Sequence, residues 1–236
     1  MLIDLHTHTR PTSADAFLHP DDLVERSKQS GLDAVVLSEH DAIWSPDAVR
    51  MLARRHNFKV LSGLEVSTEG GHILVYGLHR YADEMRQSDV LASHVRRASG
   101  VMVAAHPYRA FAPYDWRARE GIRQGLSRAE QNPAYRLVQA IEVVNGHGNP
   151  NENGFSQRLA SLMGLPGTAG TDSHQASDIG KAATHFEREI RDEAELIEEI
   201  AAGRCWAVDL TRGSLTEDRT HHGLPEYGHE RADLPS

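Results

Sequence analysis

The sequence predicts an α/β fold in which a parallel sheet closes into a barrel. Short apolar, β-rich runs alternate with amphipathic helical stretches, a pattern that places helices outside a parallel sheet. Histidines and acids recur at those runs. His6 and His8 end the first run, His40 and Asp41 follow the second, and Glu65 follows the third. His72 opens a further run, His106 closes another, and Asp172 and His174 come after a glycine- and threonine-rich one. An open doubly wound sheet would also present its strand ends to a ligand. Residues contributed by nearly every strand, however, meet at one mouth only when the sheet is a closed ring.

The elements follow in order. Residues 2–5 read as a strand, and Pro20 with Asp21 and Asp22 opens a helix, since proline and acids suit a first turn. Gly31 ends that helix before a strand over 34–37, and residues 46–56 read as helix before a strand over 59–64. Gly70 and Gly71 turn the chain into a strand over 72–76. A long helix over 81–99 stops at Gly100, ahead of a strand over 101–105. Strands over 138–144 and 165–169 flank a helix over 154–163, and a last helix over 192–202 precedes a strand over 205–210. Residues 110–133 are polar and Arg-rich and read as an insertion or lid beside His106. Residues 1–212 are expected to form one domain and 213–236 a polar, poorly ordered tail holding His221, His222 and His229.

At 236 residues the chain has room for one domain with a large core. A formal charge of −9 argues against a broad basic surface for duplex nucleic acid. It leaves room for a phosphorylated small molecule or nucleotide, or a short single strand, because bound divalent cations reverse the sign locally. Cys205 is the single cysteine, so neither an intramolecular disulfide nor a thiolate zinc cluster is available. No signal-like segment or membrane-length apolar run is apparent, so a cytoplasmic location and no membrane partner are expected. Oligomeric state is not legible.

Seven motifs carry a resemblance: Asp4-Leu-His-Thr-His8, Ser38-Glu-His-Asp41, Gly63-Leu-Glu-Val66, Gly71-His-Ile-Leu74, Ala105-His-Pro-Tyr-Arg109, Ile141-Glu-Val-Val-Asn145 and Gly170-Thr-Asp-Ser-His174. In this order, over about residues 1–210, they resemble the PHP (polymerase and histidinol phosphatase) family. The resemblance implies a distorted (β/α)7 barrel, TIM-like, with two or three divalent ions of zinc, manganese or iron at the C-terminal mouth of its strands. It implies that His6, His8, Glu65 and Asp172 hold a first metal, and that Glu65 bridges to a second held by His72 and His106. Asp15, His40 and His174 would hold a third. Asp15 lies in Ser13-Ala-Asp-Ala16 where many members read Ser-Asp-Gly, and His19 is its substitute. His6 and His8, with one residue between them in a strand, point to one side and so suit two positions on one ion.

The implied reaction is phosphoester hydrolysis by metal-activated hydroxide, with the cations neutralising phosphoryl oxygens. Asp41 or His174 is expected to handle protons, and Arg109 to clamp a phosphate with its fork of donors; Arg10 is a second candidate clamp. Glu142 and Asn145 are expected near the site, the glutamate fixing a ligand histidine or a loop backbone. Three alternatives stay open. An exonuclease on short single strands would use Tyr108, Tyr114, Trp116, Arg117 and Arg119 as a stacking, basic groove. A non-catalytic PHP module would have lost ligands. An amidohydrolase would want a metal-bridging lysine, and neither Lys59 nor Lys181 follows a suitable strand.

Overall fold

A computed structural model describes residues 1–212, so the expected tail over 213–236 lies outside the described residues. The strands are β1 (Leu2–Thr7), β2 (Ala34–Leu37), β3 (Lys59–Ser62), β4 (Leu64–Thr68), β5 (Gly71–Tyr76), β6 (Val101–Ala104), β7 (Ala140–Asn145), β8 (Gly167–Gly170), β9 (Ala182–His185) and β10 (Trp206–Asp209). The helices are α1 (Pro20–Gln29), α2 (Pro46–His56), α3 (Ser88–Arg97), α4 (Tyr108–Phe111), α5 (Arg119–Glu130), α6 (Pro150–Met163) and α7 (Glu193–Ala201). Local chemistry sets their ends. Ser45 caps α2 through the Ala48 amide, and Asn149 with Glu152 closes a capping box on α6. No helix among the described residues is long and apolar enough to cross a membrane.

The expected closed ring is corrected to two mixed five-stranded sheets, ordered β10-β9-β1-β2-β3 and β4-β5-β6-β7-β8. Pairing is parallel along β1, β2 and β3 and along β6, β7 and β8, but antiparallel at β4–β5, β5–β6, β1–β9 and β9–β10. At β4–β5 the reason is connection length. A parallel neighbour needs a crossover of a dozen or more residues, and the turn at Gly70 between β4 and β5 is far too short for one. Single parallel bridges, Thr7 to Ser173 and His40 to Glu65, join the two sheets.

The strand expected over 59–64 is split at Gly63, where the chain passes from the first sheet to the second. Its amide donates to the Leu37 carbonyl at 2.8 Å, and a Cβ there would come 2.8 Å from Val36 Cγ1. Beneath the strand ends, Ile3, Leu5 and Val36 of one sheet pack with Leu74, Tyr76 and Val103 of the other. The Tyr76 hydroxyl donates to the Leu5 carbonyl at 3.0 Å across this interface.

Two further expectations are revised. The helix over 81–99 is a 3-10 turn (Asp83–Arg86) followed by α3, because Gln87 is extended. The stretch taken for a lid is largely α4 and α5 packed on α6. Gly125 approaches the Phe111 carbonyl and the Phe155 ring so closely that a Cβ would sit 2.4 Å from the former.

Candidate metal centre

β1 delivers His6 and, one residue past its end, His8; β4 delivers Glu65, and the turn after β8 delivers Asp172. The Nε2 atoms of His6 and His8 each lie 3.2 Å from Glu65 Oε2, and 3.4 and 3.1 Å from Asp172 Oδ1. All four atoms are buried without a hydrogen-bond partner. Leaving them so would cost about 1–3 kcal/mol each, a sum comparable with the whole stability of a domain. A divalent cation held by these residues would remove that cost. Ligand atoms about 2.1 Å from one ion, at angles of about 90–110°, stand about 3.0–3.4 Å apart, which is the spacing found.

The other predicted ligands surround this core. His72 Nδ1 and His106 Nε2 face Glu65 Oε1 at 2.8 and 3.0 Å, while His40 Nδ1 faces Oε2 at 2.9 Å. Both Glu65 oxygens are therefore ringed by imidazoles, as a bridging carboxylate requires. Asp15 Oδ2 sits 3.3 Å from His40 Nε2 and 3.2 Å from His174 Nε2. His19 is elsewhere, accepting the Asp21 amide at the start of α1. Three donor sets have all their ligand atoms within 4.8 Å of one another: His6, Glu65, His106 and Asp172; His40, Glu65 and His72; and His8, His40 and His174. This grouping keeps three centres but shares His40 between two of them and turns His8 toward the third.

Charge explains the protonation pattern. Burial disfavours a charged His6, but Asp172, Glu142 and Glu65 outweigh it and hold the imidazole well above its ordinary value. His8 is held at about 9 by Asp172 and Glu65 against the same burial. Against their own burial, the surrounding histidines hold Glu65 and Asp172 well below the carboxylate range. The cluster is an anionic cavity that calls for positive charge, which protons or cations can supply.

The supporting residues are equally specific. Glu142 accepts from His6 Nδ1 and the His106 amide, both at 2.9 Å, and from Asn145 Nδ2 at 3.0 Å, so one buried carboxylate ties three strand ends together. Arg109 Nη2 reaches Asp172 Oδ2 at 2.5 Å. Asp41 is turned from the cluster: its carboxylate accepts the Ser67 amide at 2.9 Å and pairs with Arg86 at 2.6 Å. Arg10 is exposed. Trp116 of the expected groove packs edge-on to Phe155, whereas Tyr114, Arg117 and Arg119 are exposed.

Three participants were not singled out from the sequence. His147 Nε2 donates to the Asp172 carbonyl at 3.0 Å, where His174 Nδ1 also donates at 2.8 Å. Its signal was present, since it follows the run of β7 just as the others follow theirs. Glu39 and Ser13 support His8 from behind, inside motifs already quoted. Nothing in their residue types marks them, because the contact joins two loops.

Histidines and carboxylates gathered at the strand ends of an α/β fold define the class of divalent-metal hydrolases. Within it the chain belongs to the PHP family: the PHP domain matches residues 4–138, and the PHP-associated C-terminal region matches 150–205. It is 29% identical over 147 residues to a 5′-3′ exoribonuclease of Haemophilus influenzae, covering 60% of this chain and 52% of that protein. The chain thus spans about half the length of this curated relative. It is 22% identical over 216 residues to a probable histidinol-phosphatase of Thermotoga maritima, covering 80% of this chain and 91% of that one. A solved two-domain protein of Bacteroides vulgatus containing a predicted PHP-like metal-dependent phosphoesterase shares its fold. The TM-score is 0.64 at 19% identity, covering 89% of this chain and 65% of that chain.

Proposed function

We propose that the chain is a metal-dependent phosphoesterase that hydrolyses a phosphomonoester or nucleotide. The observation that carries this is the convergence of four buried, partnerless ligand atoms from His6, His8, Glu65 and Asp172. We assign His72, His106, His40, His174 and Asp15 to the remaining metal positions and read the facing sheets as an opened version of the family's barrel. Bound divalent cations would supply a hydroxide nucleophile near neutral pH and neutralise phosphoryl oxygens. The chain's own groups do the rest. Glu142 holds His6 by its Nδ1–H, keeping Nε2 free to ligate. Arg109 has five donors, and Asp172 engages only one of its nitrogens, so the guanidinium can also hold a phosphoryl oxygen. Asp41 is committed to the Ser67 amide and Arg86, and His174, whose Nδ1 donates to the Asp172 carbonyl, could carry a proton on Nε2 only when that nitrogen is not ligating.

The test is elemental mass spectrometry on purified protein with phosphate release from a nucleotide panel measured on the same sample. Two or three equivalents of manganese, zinc or iron with EDTA-sensitive release support the reading. No metal after reconstitution would sink it and make a non-catalytic module the reading to pursue.

A second reading, exonuclease action on short single strands, is supported by the likeness to the exoribonuclease. The exposed Tyr114, Arg117 and Arg119 beyond His106 could stack and steer a strand. A 5′-labelled RNA oligomer shortened one nucleotide at a time from its 5′ end would favour it over the monoester.

A further inference from the structure

We propose that Glu39, acting through Ser13, is a positioning residue that fixes the ligating face of His8 and the loop carrying Asp15. The inference rests on the metal-ligand reading above. Glu39 is fully buried, yet among the described residues its carboxylate meets no cationic partner. It is held by neutral donors: the Thr9 amide at 2.8 Å, the Thr9 hydroxyl, the Ser13 hydroxyl at 2.6 Å and the Trp44 indole N–H at 2.8 Å. A buried carboxylate is costly even when hydrogen-bonded, so its place needs a reason beyond filling space.

Ser13 supplies that reason. A serine hydroxyl has one proton, and Glu39 takes it. The Ser13 oxygen must then accept, and what it faces are the His40 amide at 3.1 Å and His8 Nδ1 at 3.4 Å. His8 is thereby held with its proton on Nδ1 and its Nε2 lone pair turned to Glu65 and Asp172. The arrangement repeats, with one hydroxyl interposed, what Glu142 does directly for His6. A metal-bound histidine almost always donates its other ring N–H to a fixed acceptor that orients it. Glu39 also clamps the loop, because Thr9 and Ser13, both bonded to it, are the two ends of a turn in which the Ser13 amide donates to the Thr9 carbonyl at 2.9 Å, two residues before Asp15. Glu39 thus governs both the histidine and the carboxylate on this side of the cluster.

The experiment titrates Mn²⁺ into metal-free wild type, Ser13→Ala, Glu39→Gln and the double variant by calorimetry. Ser13→Ala cuts the link to His8, and Glu39→Gln removes the anionic acceptor of the Ser13 proton. The expected result is Mn²⁺ affinity about 10–100-fold weaker in each single variant, with the double variant no weaker than the worse single one because both act through one link. Unchanged affinity in Ser13→Ala, or falls that add in the double variant, overturns the proposal and reduces Glu39 to packing. Wild type that binds no Mn²⁺, Zn²⁺ or Fe²⁺ overturns the metal reading itself and this inference with it.

Discussion

Glu65 is the residue on which the centre turns. Its two oxygens face five imidazoles at 2.8–3.2 Å, His6, His8 and His40 on one and His72 and His106 on the other. Glu65→Gln keeps the shape but replaces one acceptor with a donor. We expect loss of at least one equivalent of metal and at least ~1000-fold of turnover, about 4 kcal/mol of transition-state stabilisation, with an unchanged far-UV circular dichroism spectrum. Full activity in this variant would remove the bridging role. At this scale the sequence was informative because metal ligands are few in type and fall at strand ends. The engagements of Asp41 with Arg86 and of Ser13 with Glu39 were not legible, since each joins residues 45 and 26 apart in the chain with no pattern linking them.

At the scale of elements, the approach of β8 to β1 fixes where Asp172 meets His6. Gly170 makes it possible: a Cβ there would stand 2.4 Å from His6 Cβ and 2.8 Å from its amide nitrogen. Gly170→Ala must push β8 away and stretch the 2.7 Å bond from the Asp172 amide to the His6 carbonyl. Overpacking of this kind costs about 1–3 kcal/mol, a fall in melting temperature of roughly 2–12 °C, and metal affinity should fall with it. Wild-type melting and metal binding in this variant would show that the strands have slack.

The packing of α1 on α2 offers a pH signature away from the site. His56 Nε2 and Nδ1 each lie 2.6 Å from a carboxylate, Asp21 and Glu25, and these acids hold the imidazole above its ordinary value. A raised folded pKa stabilises in full below the unfolded value of about 6.5 and is lost as pH rises through the folded one. The melting-temperature gap between wild type and His56→Gln should therefore be widest at about pH 5–6 and close as pH rises above 7. A gap that widens with pH would contradict this. Element boundaries for α1, α2 and β2 were legible because proline, capping residues and continuous apolar runs mark them. β9 was missed because Ala182-Ala-Thr-His185 is too short and too weakly apolar to signal a strand.

At the scale of the molecule, alternation of strand and helix identified the class but not the closure. What it lacked was the antiparallel pairing of β4 with β5, which depends on turn length more than on periodicity, and that of β9 with its neighbours, a strand too short to signal itself. The described fold ends with β10 and a 3-10 turn (Leu210–Arg212). A chain stopped at Arg212 is expected to melt within about 2 °C of the full chain and to bind the same metal; loss of folding would assign residues 213–236 a structural part.

The seam between the two sheets runs through the candidate centre. His6, His8 and His40 belong to one sheet, Glu65, His72, His106 and Asp172 to the other or to its strand ends, and the bridges at Thr7 and His40 flank them. A cation seated there would act as a rivet, coupling two halves that otherwise share few backbone bonds. Its removal should be felt as lost mechanical coupling: the amides of His8, Glu65 and Asp172, which donate across the seam to Ser173, Glu39 and His6, would exchange with solvent before those inside either sheet.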